Sequence, residues 1–278
     1  YLVMKENSNI SHSSSPNTHG FDQPKEPQEP KDPKESESMG HSSLGHKERK
    51  LLAITLLQSA GILALVTVLL AYLIVALKTG NPIACLLDGS WLTFLLDQCT
   101  LPPQWWCAPL VMIGIYMAVN LIARLVYPNY KRDELDLRQG LNGELILLPV
   151  SFLATLIPLT NIFEETVFRG CLIPLLTMGA MALGLNSITS ALVAVAGSTL
   201  AFWLVHWQYR NKLSVAMTLA GGATLGIIYV ISQSVLVCII AHVAYNWFVL
   251  YFERMIARDD PNYFGGKQPT HYVSDLLE

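Results

Sequence analysis

The chain has 278 residues, of which 52% are hydrophobic and only 14% are charged. Because soluble domains carry about a quarter charged residues, this composition excludes an ordinary soluble globular protein and favours an integral membrane protein. The formal net charge of −3 comes with no basic stripe, which argues against nucleic acid as a partner.

Residues 1–50 differ from the rest of the chain, since they hold 15 of its 39 charged residues and prolines at positions 24, 27, 30 and 33. Such a segment cannot bury enough apolar surface to offset its ordering entropy, so we expect a disordered polar tail. A polyproline II binding segment is the alternative for the same residues.

Seven apolar stretches follow the tail, and each must be helical because lipid offers no partner to backbone polar groups. The first has no charged residue over 27 positions, enough to cross a hydrocarbon core of roughly 30 Å. The seven stretches are Leu51–Leu77, Trp106–Tyr127, Leu145–Ile162, Thr166–Leu185, Ser187–Val205, Leu213–Ile231 and Val235–Phe252. We therefore predict an all-α, polytopic transmembrane helical bundle of about seven to eight helices.

Turn-prone residues separate several of these stretches, and Pro158–Asn161 is predicted to divide the third from the fourth. We expect two transmembrane helices with a connecting loop over residues 51–140, a bundle core over residues 141–255 and a C-terminal tail over residues 256–278. The expected location is the plasma membrane of a bacterium, where the chain is a multi-pass protein in contact with bilayer lipid.

The orientation of the bundle in the membrane stays open from the sequence alone. Three basic residues just before Leu51 favour a cytoplasmic start for the first helix. With seven crossings, however, the basic residues around Lys212 and Arg254 fall on the opposite side. The number of crossings would become even if Ile83–Leu101 also crossed the membrane or if Leu145–Ile162 were re-entrant.

The five cysteines do not form a recognisable framework. A disulfide between Cys85 and Cys99 is an option only if that region faces an oxidising compartment. Cys171 and Cys238 lie in apolar stretches, where a thiol is expected to be buried. No C-x-x-C pair occurs, which disfavours a cysteine-based zinc site.

Three residues carry the only charges within residues 145–209, namely Glu164, Glu165 and Arg169. Ionisable groups at membrane depth are costly and usually functional. Glu165 and Arg169 can pair on one helix face, whereas Glu164 is rotated by roughly 100° and has no local cation. Glu164 is therefore a candidate general base. In the alternative interpretation, both glutamates begin a helix that Asn161 caps.

Only two of the seven histidines, His206 and His242, lie within Leu51–Phe252. Each has a partner four residues away on the same helix face, Phe202 for His206 and Asn246 for His242. The predicted path of the helices brings both histidines towards the end at which Glu164 lies. A carboxylate, two imidazoles and an amide would then line one cavity below a single membrane face.

These residues form three ordered signatures on separate apolar helices. They are E-E-x-x-x-R at Glu164–Arg169, F-x-x-x-H at Phe202–His206 and H-x-x-x-N at His242–Asn246. The ordered trio resembles the CPBP family, the CAAX-protease and bacteriocin-processing family that is also called the abortive-infection family. The resemblance covers roughly Leu145 to Phe252 and implies that residues 141–255 are an intramembrane protease core.

The resemblance implies hydrolysis of a peptide bond inside the bilayer. Glu164 and His206 would activate the attacking water. His242 and Asn246 would stabilise the oxyanion of the tetrahedral intermediate. The supporting residues would be Glu165, Arg169 and Phe202.

Zinc is the alternative for the cofactor, with Glu164, His206 and His242 as its three protein ligands. No H-E-x-x-H motif occurs, and this ligand set leaves only Glu165 as a general base. We therefore favour a glutamate-type protease without a cofactor over a metalloprotease.

The sequence thus predicts an intramembrane endopeptidase that acts on a membrane-associated protein or peptide, for which a prenylated CAAX-type C-terminus is one candidate. A non-catalytic scaffold or regulatory binding protein of the same family is the first alternative. The intact signatures argue against it, because a scaffold has no need to bury these groups. A proton-coupled transporter is the second alternative, and we find no internal repeat to support it.

Overall fold

The computed structural model describes residues 46–139, 141–207 and 211–266, and within these ranges it is helical without a β-strand. The α-helices of the described ranges are α1 (His46–Thr79), α2 (Pro82–Asp88), α3 (Ser90–Asp97), α4 (Ala108–Val126), α5 (Tyr130–Gln139), α6 (Leu141–Leu147), α7 (Val150–Glu165), α8 (Ile173–Ala182), α9 (Ser187–Val205), α10 (Lys212–Ser232) and α11 (Val235–Asp259). A 3₁₀-helix precedes α4 at Pro103–Cys107, and a π-helical turn at Thr166–Leu172 joins α7 to α8. The predicted all-α bundle is confirmed. The predicted polar tail lies outside the described residues, apart from the five at the start of α1.

Five helices of the described ranges are long and apolar enough to cross a membrane. Their spans are Gly61–Thr79, Pro103–Val126, Ser187–Val205, Lys212–Ser232 and Val235–Asp259. They coincide with five of the seven predicted stretches and identify an integral membrane protein. The bacterial plasma membrane stays a prediction.

The predicted turn at Pro158–Asn161 is wrong. Helical backbone runs without a break from Val150 to Ala182, because α7, the π-helical turn and α8 follow one another directly. Pro158 lies inside α7. Membrane helices tolerate proline at such a position because the surrounding helices compensate for the lost backbone hydrogen bond. The third and fourth predicted stretches are therefore parts of one continuous helical run.

The π-helical turn in this run ends two residues before Pro174, which cannot donate a backbone hydrogen bond to the preceding turn. The carbonyl oxygen of Phe168 in the turn accepts a hydrogen bond from Ser198 Oγ of α9 at 2.7 Å. A side chain of the neighbouring helix thus supports the irregular backbone. Turns of this kind are frequent at functional sites.

The stretch Ile83–Leu101 does not cross the membrane. It contains α2 and α3, which have 7 and 8 residues and are far too short to span a bilayer. The backbone N–H of Val235 donates to the carbonyl oxygen of Gln98 at 3.0 Å, and Tyr229 Oη donates to Gln98 Oε1 at 2.7 Å. These contacts hold the short helices against the turn between α10 and α11.

A polar network joins α4, α5 and α11 at the opposite end of the bundle. Arg138 pairs with Glu134 at 3.0 Å and with Glu253 at 3.4 Å. Tyr130 Oη donates to Asn120 Oδ1 at 2.6 Å. Burial, followed by the nearby Glu134 carboxylate, raises the pKa of Tyr130 to about 12, so its hydroxyl keeps the proton that it donates.

The corrected path of the helices shows which segments share one end of the bundle, a question that the sequence left open. The helices α5 and α6, the start of α10 and the end of α11 lie at one end of the bundle. Asn211 Nδ2 at the start of α10 accordingly donates to the backbone carbonyl of Asp133 in α5 at 2.9 Å. This end carries most of the described basic residues outside the bundle interior: Arg124, Lys131, Arg132, Arg138, Lys212, Arg254 and Arg258. The concentration of lysine and arginine at this end predicts that it faces the cytoplasm.

Thiol labelling tests this orientation, since all five cysteines are free and the disulfide between Cys85 and Cys99 is not formed. Cys99 and Cys107 are exposed at the end opposite the basic residues. We expect a membrane-impermeant maleimide to label them from outside intact cells. In a variant with both changed to serine and Lys131→Cys added, labelling should require permeabilised cells. The reverse pattern would show that the orientation is inverted.

Candidate active site

The two glutamates lie where α7 continues into the π-helical turn. Glu164 is the penultimate residue of α7 and Glu165 is the last. Because α7 begins at Val150, the interpretation of these acids as the start of a helix capped by Asn161 is wrong. They lie in the middle of a long helical run, where no helix terminus accounts for them.

Glu164 lies between the two histidines. Its Oε1 is 4.0 Å from His206 Nε2, and its Oε2 is 4.0 Å from His242 Nδ1. These distances are too long for direct hydrogen bonds, but a water about 2.8 Å from both atoms bridges such a gap. The side chains of Glu164 and His206 are 21% and 24% exposed, so the site is accessible on this side.

The geometry of His206 determines which of its nitrogens carries a proton. His206 follows directly after α9, and its Nδ1 is 2.8 Å from the carbonyl oxygen of Phe202. A carbonyl oxygen only accepts, so Nδ1 must donate. In the neutral imidazole, Nε2 is then an acceptor, and this is the nitrogen that faces Glu164. Phe202 also packs its ring 4.4 Å from the imidazole centroid.

Glu165 is fully buried and binds two partners through the same oxygen. Its Oε1 lies 3.0 Å from Arg169 Nη1 and 2.8 Å from His242 Nδ1. The pairing with Arg169 is what the four-residue spacing predicts. The contact with His242 was not predicted, because that histidine was expected to act with Asn246 on the oxyanion.

Arg169 anchors this buried group to the neighbouring helices. Its side chain is fully buried, its Nη2 donates to the carbonyl oxygen of Gly222 at 3.1 Å, and its guanidinium lies 4.6 Å from the Phe202 ring centroid. A Cβ atom at Gly222 would lie 3.2 Å from Thr199 Cγ2, so glycine allows α9 and α10 to approach closely beside the guanidinium.

Asn246 lies one turn after His242 on α11, and its side chain contacts another amide. Asn246 Nδ2 donates to Asn161 Oδ1 at 3.1 Å. Asn161 is 1% exposed and lies one turn before Glu164 and Glu165 on α7. Sequence reasoning considered Asn161 only as a cap. The signal that would have identified it is an amide at helical spacing from two acids in an otherwise apolar stretch.

The structure therefore brings six predicted site residues into direct or near contact, while Asn246 joins them through Asn161. The six are Glu164, Glu165, Arg169, Phe202, His206 and His242. Four different segments supply them: α7, the π-helical turn, the end of α9 and α11. The set combines an accessible carboxylate with a fully buried pair of opposite charges.

The alternative zinc ligands Glu164, His206 and His242 are not spaced as the three protein ligands of an open tetrahedral site in this arrangement. Two ligands on one tetrahedral zinc lie roughly 3.3 Å apart, as follows from bond lengths near 2.0–2.2 Å. The oxygens of Glu164 are 4.0 Å from both imidazoles, and the nearer His242 nitrogen is already bound to Glu165. In the part of the chain that the structure describes, no three His, Cys, Asp or Glu side chains are grouped to hold a metal ion.

Comparison with known proteins identifies one family model that matches the part of the chain containing this site. Residues 146–248 match the family model described as Rce1-like, type II CAAX prenyl endopeptidase Rce1-like. We refer to these residues, which are fewer than half of the chain, as the Rce1-like domain. The domain contains all three signatures and confirms the resemblance to the CPBP family over this segment. No curated protein and no solved structure matches the chain.

Proposed function

We propose that the Rce1-like domain is an intramembrane endopeptidase of the glutamate type. Its substrate class would be the C-terminal peptide of a prenylated, membrane-associated protein. The observation that carries the proposal is the position of the Glu164 carboxylate, 4.0 Å from an imidazole nitrogen on each side. The match to a family of CAAX prenyl endopeptidases supports the substrate class.

In the first step, a water bound between Glu164 Oε1 and His206 Nε2 attacks the carbonyl carbon of the scissile bond. Both atoms are acceptors, so together they orient the two protons of the water and leave a lone pair of its oxygen for the attack. Glu164 takes one proton as the new C–O bond forms. The partly enclosed site makes this base more effective than it would be in bulk water.

In the second step, His242 and Asn246 stabilise the oxyanion of the tetrahedral intermediate. Asn246 offers the second N–H of its amide nitrogen. His242 already donates its Nδ1–H to Glu165, so donation from Nε2 requires the doubly protonated ring. Preorganised donors of this kind contribute strongly to catalysis.

In the third step, the C–N bond breaks and the leaving amine receives the proton that Glu164 took from water, directly or through His206. The products are a new C-terminal carboxylate and a free amine, so one water is consumed for each bond cleaved. Glu164 returns to the ionised state and binds the next water.

The experiment that tests this function uses the full chain in proteoliposomes and two peptides that differ only in prenylation. We expect cleavage of the prenylated peptide and little cleavage of the unmodified one. Cleavage of both would leave the protease in place but contradict the substrate class. Binding of the prenylated peptide without any cleavage would contradict the protease and favour a scaffold.

A chelator separates the glutamate mechanism from the metal mechanism in the same assay. We expect the cleavage rate to stay within about twofold of its initial value after chelation, because no metal supplies the nucleophile. Loss of activity that added zinc restores would contradict the glutamate mechanism. It would then assign Glu164, His206 and His242 as metal ligands.

A further inference from the structure

The amide of Asn161 has a position that none of the three signatures explains. Asn161 lies one turn before Glu164 on α7, is 1% exposed and accepts a hydrogen bond from Asn246 Nδ2 at 3.1 Å. Burying a primary amide in an apolar helix is costly unless it is hydrogen-bonded. Its own Nδ2 is buried without a partner among the described residues. A single hydrogen bond therefore offsets the cost of burying the Asn161 amide.

We propose that Asn161 is a positioning residue that fixes the amide of Asn246 for the oxyanion. This inference rests on the proposed function, in which Asn246 is an oxyanion donor. An asparagine side chain can rotate and can exchange the positions of its oxygen and nitrogen. With Asn161 Oδ1 facing α11, as it does here, Asn246 presents its nitrogen to α7.

The hydrogen bond to Asn161 leaves one N–H group of Asn246 Nδ2 available for the substrate. Asn246 Nδ2 has two N–H groups, and Asn161 Oδ1 accepts one of them. The second N–H lies in the same plane at a fixed angle and is available for the substrate oxygen. Preorganisation of a donor in this way lowers the reorganisation that the transition state requires. Asn161 therefore acts through Asn246 and does not itself contact the reacting atoms.

The two asparagines also connect the two halves of the site. Asn161 belongs to the same helix as the proposed base Glu164, and Asn246 belongs to the same helix as His242. Their hydrogen bond fixes α11 against α7 one turn away from the His242–Glu165 contact at 2.8 Å. Two cross-helix contacts one turn apart fix both the distance and the rotation of the helices.

The test replaces Asn161 with leucine, which has a similar volume but no polar group. We expect Asn161→Leu to lower kcat by about tenfold with little change in KM, because orientation is lost and binding is not. Asn161→Asp retains an acceptor oxygen and should recover part of kcat. The matched control is Asn120→Leu, which removes an amide that binds Tyr130 in the polar network. Its kcat should stay near the wild-type value.

A double-mutant cycle with Asn246→Ala distinguishes positioning from a separate role. Asn246→Ala alone should cost about 10²–10³ in kcat. Adding Asn161→Leu should then cost nothing further, because Asn161 acts through Asn246. Independent, multiplicative losses would overturn the proposal, as would wild-type kcat in Asn161→Leu.

A measurement that does not depend on enzymatic activity separates this inference from the proposed function. In protein labelled with ¹⁵N-asparagine, the side-chain signal of Asn246, assigned with Asn246→Ala, should shift in Asn161→Leu and not in Asn120→Leu. An unshifted signal would contradict the hydrogen bond between Asn246 and Asn161. If Glu164→Gln leaves cleavage unaffected while the Asn246 signal shifts, the proposed function fails and the structural contact stands.

Discussion

Replacement of Glu164 by glutamine is expected to lower kcat by about 10²–10⁴-fold, the usual contribution of a general base. Glutamine has nearly the same shape but cannot accept the proton of the attacking water. Its amide nitrogen would also present N–H groups to the water in place of an acceptor oxygen and disturb the orientation of the water. The cleavage rate of a prenylated peptide in proteoliposomes measures the effect.

The structure offers a matched control for this substitution. Glu134 is also a partly exposed glutamate, but it pairs with Arg138 in the polar network at the end of the bundle. Glu134→Gln should leave kcat within about twofold, since a partly exposed ion pair contributes little. Equal rates for Glu164→Gln and Glu134→Gln would mean that Glu164 is not the base.

The second large effect is expected on stability, from Arg169→Met. Arg169 and Glu165 are both fully buried and 3.0 Å apart. Removing one partner of a buried ion pair leaves an uncompensated charge and costs about 3–5 kcal/mol in the free energy of unfolding. Unfolding of the purified protein in detergent, followed by circular dichroism, measures the loss.

Two further variants show whether the cost arises from the unpaired charge. Glu165→Gln combined with Arg169→Met removes both charges and should recover most of the lost stability. Arg258→Met removes an exposed arginine that pairs with Asp259 and should cost less than about 1 kcal/mol. A cost for Arg169→Met as small as that for Arg258→Met would contradict the account of the buried pair.

The fold was predictable from the sequence to the extent that hydropathy alone determines it. Five spans follow from uninterrupted apolar stretches, because lipid requires helices there. The error at Pro158 has a physical cause. Proline and asparagine mark turns in water, whereas a membrane bundle keeps them inside a helix. Correcting this one error turns two predicted crossings into a single run. The basic residues around Lys212 and Arg254 then lie at the same end as those of α5, in agreement with the positive-inside rule.

The site was predictable where residue spacing on one helix was sufficient. The pair of Glu165 and Arg169 and the relation of His206 to Phe202 both follow from a spacing of four residues. Contacts between helices were not predictable, because they depend on rotation about each helix axis. Thus the contact of His242 with Glu165 and that of Asn246 with Asn161 appear only in three dimensions.

The most direct test of the central claim is cleavage in water enriched in ¹⁸O. The purified chain in proteoliposomes is incubated with a prenylated peptide, and the products are weighed by mass spectrometry. We predict one ¹⁸O atom in the new C-terminal carboxylate for the wild type and for Glu134→Gln, and no product for Glu164→Gln. Product that forms at the same rate with Glu164→Gln, or no product from the wild type, would contradict hydrolysis by a water bound to Glu164.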